Sequence, residues 1–176
     1  MLPPLPVALL VTAAVLLLML VELQLSWFNE KALRAKGAVE PADDVIGWMR
    51  IVYPGAFVLM GIAAALGGPL SKTWVIAGLV LFGWAKALKF WAMTHLGARW
   101  TFRVLVLPGA PLVVTGPYRL LRHPNYVAVM GEIVAVAVAL QTPVAGVAAA
   151  LGFGWLIRRR IVVEQRALAG HTTTRP

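Results

Sequence analysis

The sequence predicts an all-α integral membrane protein: about five transmembrane helices, a structured cytoplasmic cap loop, and a short hairpin formed by the last two helices. Three observations predict this. The 176 residues are 60% apolar, with a mean hydropathy of +0.81, well above the roughly 45–50% apolar share of soluble domains. Uncharged stretches recur at the length that crosses a hydrocarbon core about 30 Å thick. Charge collects in the segments between them. The length suits one integrated domain, with residues 1–93 carrying three helices and a linker at 26–50. Residues 94–176 carry the cap loop, the hairpin and an amphipathic tail.

Residues 5–25 read as the first span. The stretch 1–21 is uncharged and lacks the basic start of a secretory signal. Residues 29–44 are polar and compatible with a helix, with Lys31, Arg34 and Lys36 beside Glu30 and Glu40. Residues 51–71 form the second uncharged span, with Pro54 near its start, where a missing amide costs little. Gly67, Gly68 and Pro69 mark a turn. The third span covers 73–93, and Lys86 and Lys89 near its end are placed to snorkel toward head groups.

Residues 94–123 are too long for a hairpin loop. Two β-prone runs, 104–107 and 112–114, flank a Pro-Gly turn, which suggests a cap packed against the bundle. Residues 124–157 are apolar except for Asn125, Glu132 and Gln141, and as one helix they would overshoot the bilayer. Gln141, Thr142 and Pro143 break them into a hairpin of two rather short helices. Gly146, Gly152 and Gly154 offer a small-residue face for close approach. Arg158, Arg159 and Arg160 lead into the tail, whose last residues, 172–176, are expected to fray. No internal repeat is present.

Of the 16 Lys and Arg residues, all but Lys72 fall nearest the segments after spans one, three and five. The positive-inside rule then puts the amino terminus outside and the carboxyl terminus, with both polar clusters, in the cytoplasm. The net charge of +9 follows from those loops and from anionic lipid. It does not imply nucleic acid, since no basic face is free of spans. The absence of cysteine excludes disulfides, thiolate metal sites and cysteine nucleophiles. His95, His123 and His171 are too scattered for a metal site. No dinucleotide fingerprint, Walker loop or zinc-protease motif occurs.

The most informative segment is 116–126, GPYRLLRHPNY. Flanking charge accounts for Arg119 and Arg122 but not for the histidine, asparagine and two tyrosines at a span boundary, where polar groups are costly. His123 and Pro124 start a helix, and the first-turn amides of Asn125 and Tyr126 favour an anion. A plain proline start with a histidine cap explains the same residues equally well. Arg160 and Glu164 lie four apart on one helix face. As a surface ion pair they would contribute a few tenths of a kcal/mol. At a site, Glu164 would hold a cationic amine and Arg160 would fork a carboxylate. Glu132, about two turns into the fourth span, either lines the site or bonds between helices. Glu22 reads as structural, and Trp91, Trp100 and Trp155 as interfacial belt residues or as the lining of a lipid pocket.

Gly116 and Tyr118, then Arg122-His123-Pro124-Asn125-Tyr126 at a span start, then Arg160 and Glu164 on the last helix, resemble the signature of the isoprenylcysteine carboxyl methyltransferase family. The likeness covers roughly residues 99–168. It implies an integral membrane enzyme that uses S-adenosylmethionine. Ala110, Pro111, Leu112, Val113, Tyr118, His123, Pro124, Asn125 and Tyr126 would wrap the methyl donor, with Glu164 on its other side. Arg103 takes the place of another donor contact, although its residue type departs from the family's. Arg160 would be the catalytic residue that orients the acceptor's carboxylate. A second glutamate common in the family is Gln165 here. The implied acceptor is lipophilic: a small molecule such as an alkyl phenol or pyrone, as the Arg99-Trp100-Thr101 likeness suggests, or a prenylated chain. The competing readings are methylation of a phospholipid amine or a thiol, a sterol-type NADPH reductase, and a non-enzymatic membrane scaffold. Oligomeric state is not encoded in any feature of the sequence.

Overall fold

Leucine, valine and alanine dominate every long uncharged stretch, and each stretch becomes a helix. The structure, a computed structural model, describes residues 1–41 and 45–172, with side chains as far as residue 167. The helices are α1 (Pro4–Ala35), α2 (Ile46–Ala65), α3 (Lys72–Leu96), α4 (Pro124–Leu140) and α5 (Pro143–Thr172). Short 3-10 turns lie at Gly97–Arg99 and Gly116–Arg119. Among the described residues, three helices are long and apolar enough to cross a membrane: α1, α2 and α3 with its 3-10 extension. The fraying expected near the carboxyl terminus falls on 173–176, outside the described residues, as does the expected end of the first polar segment at Asp44.

Several boundaries differ from the sequence expectation. The helix of the first span does not end at residue 25; α1 runs on through the polar segment, which reads as helix-compatible, as one helix of 32 residues. The reason is local: Glu30, Lys31, Ala32 and Leu33 are good helix formers, and nothing breaks the helix before Gly37, whose φ of 83° ends it. α2 begins at Ile46, so Pro54 lies inside it rather than in its first turn. The hairpin after residue 123 has one short arm only: α4 has 17 residues and α5 has 30. Gln141, in the left-handed region at φ 55°, turns the chain between them. Its side chain accepts from the Ser71 amide at 3.2 Å and donates to the Ser71 carbonyl at 3.3 Å. That clamps the hairpin bend to the start of α3.

The core lies between α1, α2, α4 and α5, around Phe57, Met60, Ile133, Leu140 and Phe153. The broadest helix contact is α3 on α4. There Gly78 sits so near α4 that an added Cβ would come within 2.3 Å of the Ala139 amide nitrogen. Of the three glycines that the sequence sets on a small-residue face, Gly146 makes the close approach that small residues permit, against Ala137. A Cβ on Gly152 would meet nothing within 4 Å. The exposed leucines, valines and tryptophans of α1, α2 and α3 form the surface offered to lipid.

Lys86 and Lys89 do not snorkel. Lys86 Nζ lies 2.6 Å from Glu22 Oε1 and 3.0 Å from Glu132 Oε2. Lys89 Nζ lies 2.6 Å from Glu22 Oε2 and 3.2 Å from Glu132 Oε1. Each ammonium bridges both carboxylates, so the charges close into a neutral ring. The Tyr53 hydroxyl donates to Glu132 Oε2 at 2.7 Å, tying in α2. The sequence placed each of these groups alone, whereas the bundle brings α1, α2, α3 and α4 together on them. Desolvating unpaired ions in a low-dielectric interior costs several kcal/mol per ion, and the ring supplies every one with two opposite charges.

The two β-prone runs, 104–107 and 112–114, do not pair with each other. No strand forms among the described residues. Val106 instead pairs with Val39 in an isolated antiparallel bridge, both bonds 2.9 Å. Trp100, expected in the interfacial belt, is 2% exposed and anchors the cap inside. Trp91 and Trp155 remain exposed. Glu40, in the linker between α1 and α2, joins Arg34 and Arg103 in an ionic clasp. Burial pushes the Glu40 carboxyl up, but the hydrogen bonds and charges of Arg103 and Arg34 outweigh it and hold the group below its ordinary value.

Candidate functional site

The start of α4 and the turn of α5 that carries Arg160 and Glu164 meet beside Trp100 and Phe102. His123 is the N-cap of α4 and Pro124 its first residue, where the ring's fixed φ suits a helix start and its missing amide costs nothing. The histidine side chain makes no capping bond. Its ring stacks on Tyr126, with centroids 5.4 Å apart and planes at 25°. Of the two first-turn amides expected to be free, that of Tyr126 is taken: it donates to the His123 carbonyl at 3.1 Å.

Tyr126 is the junction of the site. Arg160 Nε donates to its hydroxyl at 2.9 Å, and that hydroxyl donates to Glu164 Oε2 at 3.0 Å. His123 Nδ1 lies 3.8 Å from the same carboxylate oxygen. Arg160 and Glu164, one turn apart on α5, therefore both engage one phenol on α4. Arg160 is not a surface residue. It is 5% exposed, and its other nitrogens reach Met49 Sδ at 3.6 Å and the Phe102 carbonyl. Glu164 keeps about 30% of its side chain open. The pair thus has a dry pole at Arg160 and a wet one at Glu164.

Tyr118 belongs to the same neighbourhood. Burial, and after it the nearby Glu164 carboxylate, push its phenol well above the usual range. Its 3-10 turn starts at Gly116, which has φ 58° and lies so close to His95 that an added Cβ would come within 2.3 Å of the imidazole. Both the left-handed backbone and the close approach require glycine there. Ala110, Pro111, Leu112 and Val113 lie outside helix and strand, with Pro111 and Leu112 exposed. Arg99 Nη1 holds this stretch through the Pro111 carbonyl at 2.6 Å. The Asn125 side chain accepts from Trp100 Nε1 at 3.3 Å.

The fold brings His123, Tyr126, Arg160 and Glu164 into direct contact, with Tyr118 and Asn125 beside them. Arg103 is committed elsewhere: its guanidinium lies 3.3 Å from Glu30 and 2.5 Å from Glu40. Sequence reasoning missed Met49, Phe102 and the inward Trp100. A methionine or an aromatic residue near a span end gives no sign of which helix it will face. No group of three or more metal-ligating side chains occurs among the described residues.

This arrangement can receive a cationic group at Glu164. Glu164 is an open carboxylate whose partners are a phenol and an imidazole, so a cation can approach it. Tyr118, carried on the glycine-dependent turn at Gly116, feels the same carboxylate.

A family model described as the isoprenylcysteine carboxyl methyltransferase family matches residues 74–170, more than half of the chain. The chain is also 27% identical over 140 residues to a Bacillus subtilis protein described as uncharacterized protein YpbQ, covering 80% of this chain and 83% of that protein. No solved structure matches it significantly. The matched family, with helices able to span a membrane, makes the chain a membrane methyltransferase.

Proposed function

This chain belongs to the isoprenylcysteine carboxyl methyltransferase family, and from that premise we propose that it takes a methyl group from S-adenosylmethionine and delivers it to an oxygen of a lipophilic acceptor. A carboxylate or a hydroxyl is the favoured acceptor group. The observation that carries this reading is the meeting of Arg160 and Glu164 on the Tyr126 hydroxyl. It sets an anion-orienting group and a cation-holding group a few ångströms apart, one buried and one open.

When bound, S-adenosylmethionine supplies a sulfonium-activated methyl group for in-line displacement. The chain's own work is to hold, orient and keep dry. Glu164 holds the donor's cationic side, while Tyr118, His123, Pro124, Asn125 and Tyr126 with Ala110, Pro111, Leu112 and Val113 enclose the rest. Arg103 serves through its grip on Glu30 and Glu40, which steadies the cap. Arg160 orients the acceptor's anion, and its burial strengthens that interaction. An ionised acceptor needs no base, so position and exclusion of water supply most of the rate.

Membranes containing the protein, incubated with methyl-labelled S-adenosylmethionine, should yield label in the lipid extract. Base should release it as methanol if the product is an ester, and should not if it is an aryl ether or an N-methyl. The purified protein should also be stabilised by the donor, by about 2.7 kcal/mol at a hundredfold excess over Kd. Stabilisation by NADPH and not by the donor would replace this reading with a reductase.

We place the site on the cytoplasmic side, from the Lys and Arg asymmetry. Reporters fused after Ser71 and after Gln141 should then appear outside. A cytoplasmic signal from either would overturn the orientation.

A further inference from the structure

We propose that the polar end of α1 is a positioning element of the active site: Ser26, Asn29 and Glu30 hold a strap at residues 100–103, which in turn fixes Asn125 and Arg160. The inference rests on the methyltransferase reading for its functional sense, but its physical content stands apart from it.

α1 does not stop where its apolar run ends; it continues to Ala35. The match to the family model starts only at residue 74, so the family assignment does not account for this extension. Residues 26, 29 and 30 lie on one helical face, at spacings of three and four. Ser26 is 0% and Glu30 8% exposed, unusual for such groups unless they are partnered. Their partners lie on the strap. The Ser26 hydroxyl accepts from the Phe102 amide at 2.7 Å and donates to Glu30 Oε1 at 2.8 Å. Asn29 Nδ2 donates to the Trp100 carbonyl at 2.7 Å. Glu30 Oε2 lies 3.3 Å from Arg103 Nε.

The same strap residues then reach the site. Trp100, gripped through its carbonyl, donates its indole N–H to Asn125 Oδ1. That leaves the Asn125 amide nitrogen turned away from the indole. Phe102, gripped through its amide, offers its carbonyl to Arg160. Each of these links is a hydrogen bond with a fixed direction, so a shift of α1 against the strap is passed to Asn125 and to Arg160. Apolar contacts would hold the strap in place equally well but would not set the orientation of an amide or a guanidinium.

Two variants of the full chain in detergent test this, Asn29→Ala and Ser26→Ala, with Ser26→Thr as the conservative control. Hydrogen exchange needs no ligand. Each Ala variant should speed amide exchange across 100–103 and in the first turn of α4 by about five- to tenfold, the worth of roughly one hydrogen bond. Ser26→Thr should restore the wild-type pattern. In binding and turnover, Asn29→Ala should raise the Kd for the demethylated donor by a similar factor. Ser26→Ala should instead lower kcat at saturating donor, because its link leads to Arg160. Faster exchange confined to 100–103, with α4 exchange, donor Kd and kcat unchanged, would overturn the proposal and leave α1 as a packing element only. A wild-type chain that binds no donor would sink the methyltransferase reading, while the exchange in α4 would still decide whether the strap transmits.

Discussion

Replacing Lys89 with methionine should cost about 3–5 kcal/mol of stability, enough to unfold much of the purified protein. Lys89 is 2% exposed and its two carboxylate partners sit at 10% and 0% side-chain exposure. Without its ammonium, the ring of Glu22, Lys86 and Glu132 carries an excess negative charge inside the bundle. Lys86 alone cannot neutralise two carboxylates. The penalty is that of the stranded charge rather than of a lost contact, so restoring neutrality should return most of it. The double variant Lys89→Met with Glu132→Gln should be markedly more stable than Lys89→Met alone. A double-mutant cycle, read by thermal or denaturant unfolding in detergent, measures this coupling. Lys86→Met should cost less, because Lys86 is 19% exposed and its removal leaves Glu22 nearer to solvent. A cost below about 1 kcal/mol for Lys89→Met, the range of exposed pairs, would mean that the ring does not hold in the folded protein.

This ring also shows where the sequence stops being legible. Its members were visible as charges inside apolar stretches, and the expense of such charges was readable from composition alone. What could not be read was that Glu22, Lys86, Lys89 and Glu132 answer one another, because their partners lie on helices far apart in the chain. Taken singly, a lysine near a span end is best satisfied by snorkelling. The length of α1 was missed for a different reason. The change at Ser26 from apolar to polar residues alters what surrounds the helix but not the backbone's preference for it. The start of α3 was legible to within one residue, since Lys72 follows a glycine-proline turn with Leu70 and Ser71 between. In the site, the order Tyr118, His123, Tyr126, Arg160, Glu164 was readable as a pattern. The junction at Tyr126 was not, because it depends on α5 lying beside the first turn of α4. Trp100 was misjudged because an indole near basic residues suits a lipid interface as well as a buried strap, and only Asn29 and Asn125 decide between them.

Arg160→Lys should keep donor binding and lose turnover by about a hundredfold or more, the scale seen when one preorganised charge-stabilising donor is removed. The guanidinium spans three groups on three segments: the Tyr126 hydroxyl, Met49 Sδ and the Phe102 carbonyl. An ammonium is a compact point charge without the planar fork, and it cannot keep those directions while facing an acceptor's oxygens. Glu164→Gln should behave differently, although it lies one turn away. It keeps a hydrogen-bond acceptor for Tyr126 but loses the charge that attracts a cation, so the apparent requirement for donor should rise while turnover at saturation changes less. Tyr126→Phe removes the hydroxyl that both residues share. It should therefore combine the two defects in one variant, weaker donor binding and slower turnover. Because Arg160 is buried, donor binding by Arg160→Lys doubles as the check that the variant is folded. Equal loss of donor affinity in Arg160→Lys and Glu164→Gln would move Arg160 into the donor pocket. The acceptor's anion would then have to be met elsewhere, and the buried charges around Glu132 would be the next place to look. Wild-type turnover from all three variants would remove α5 from the site altogether.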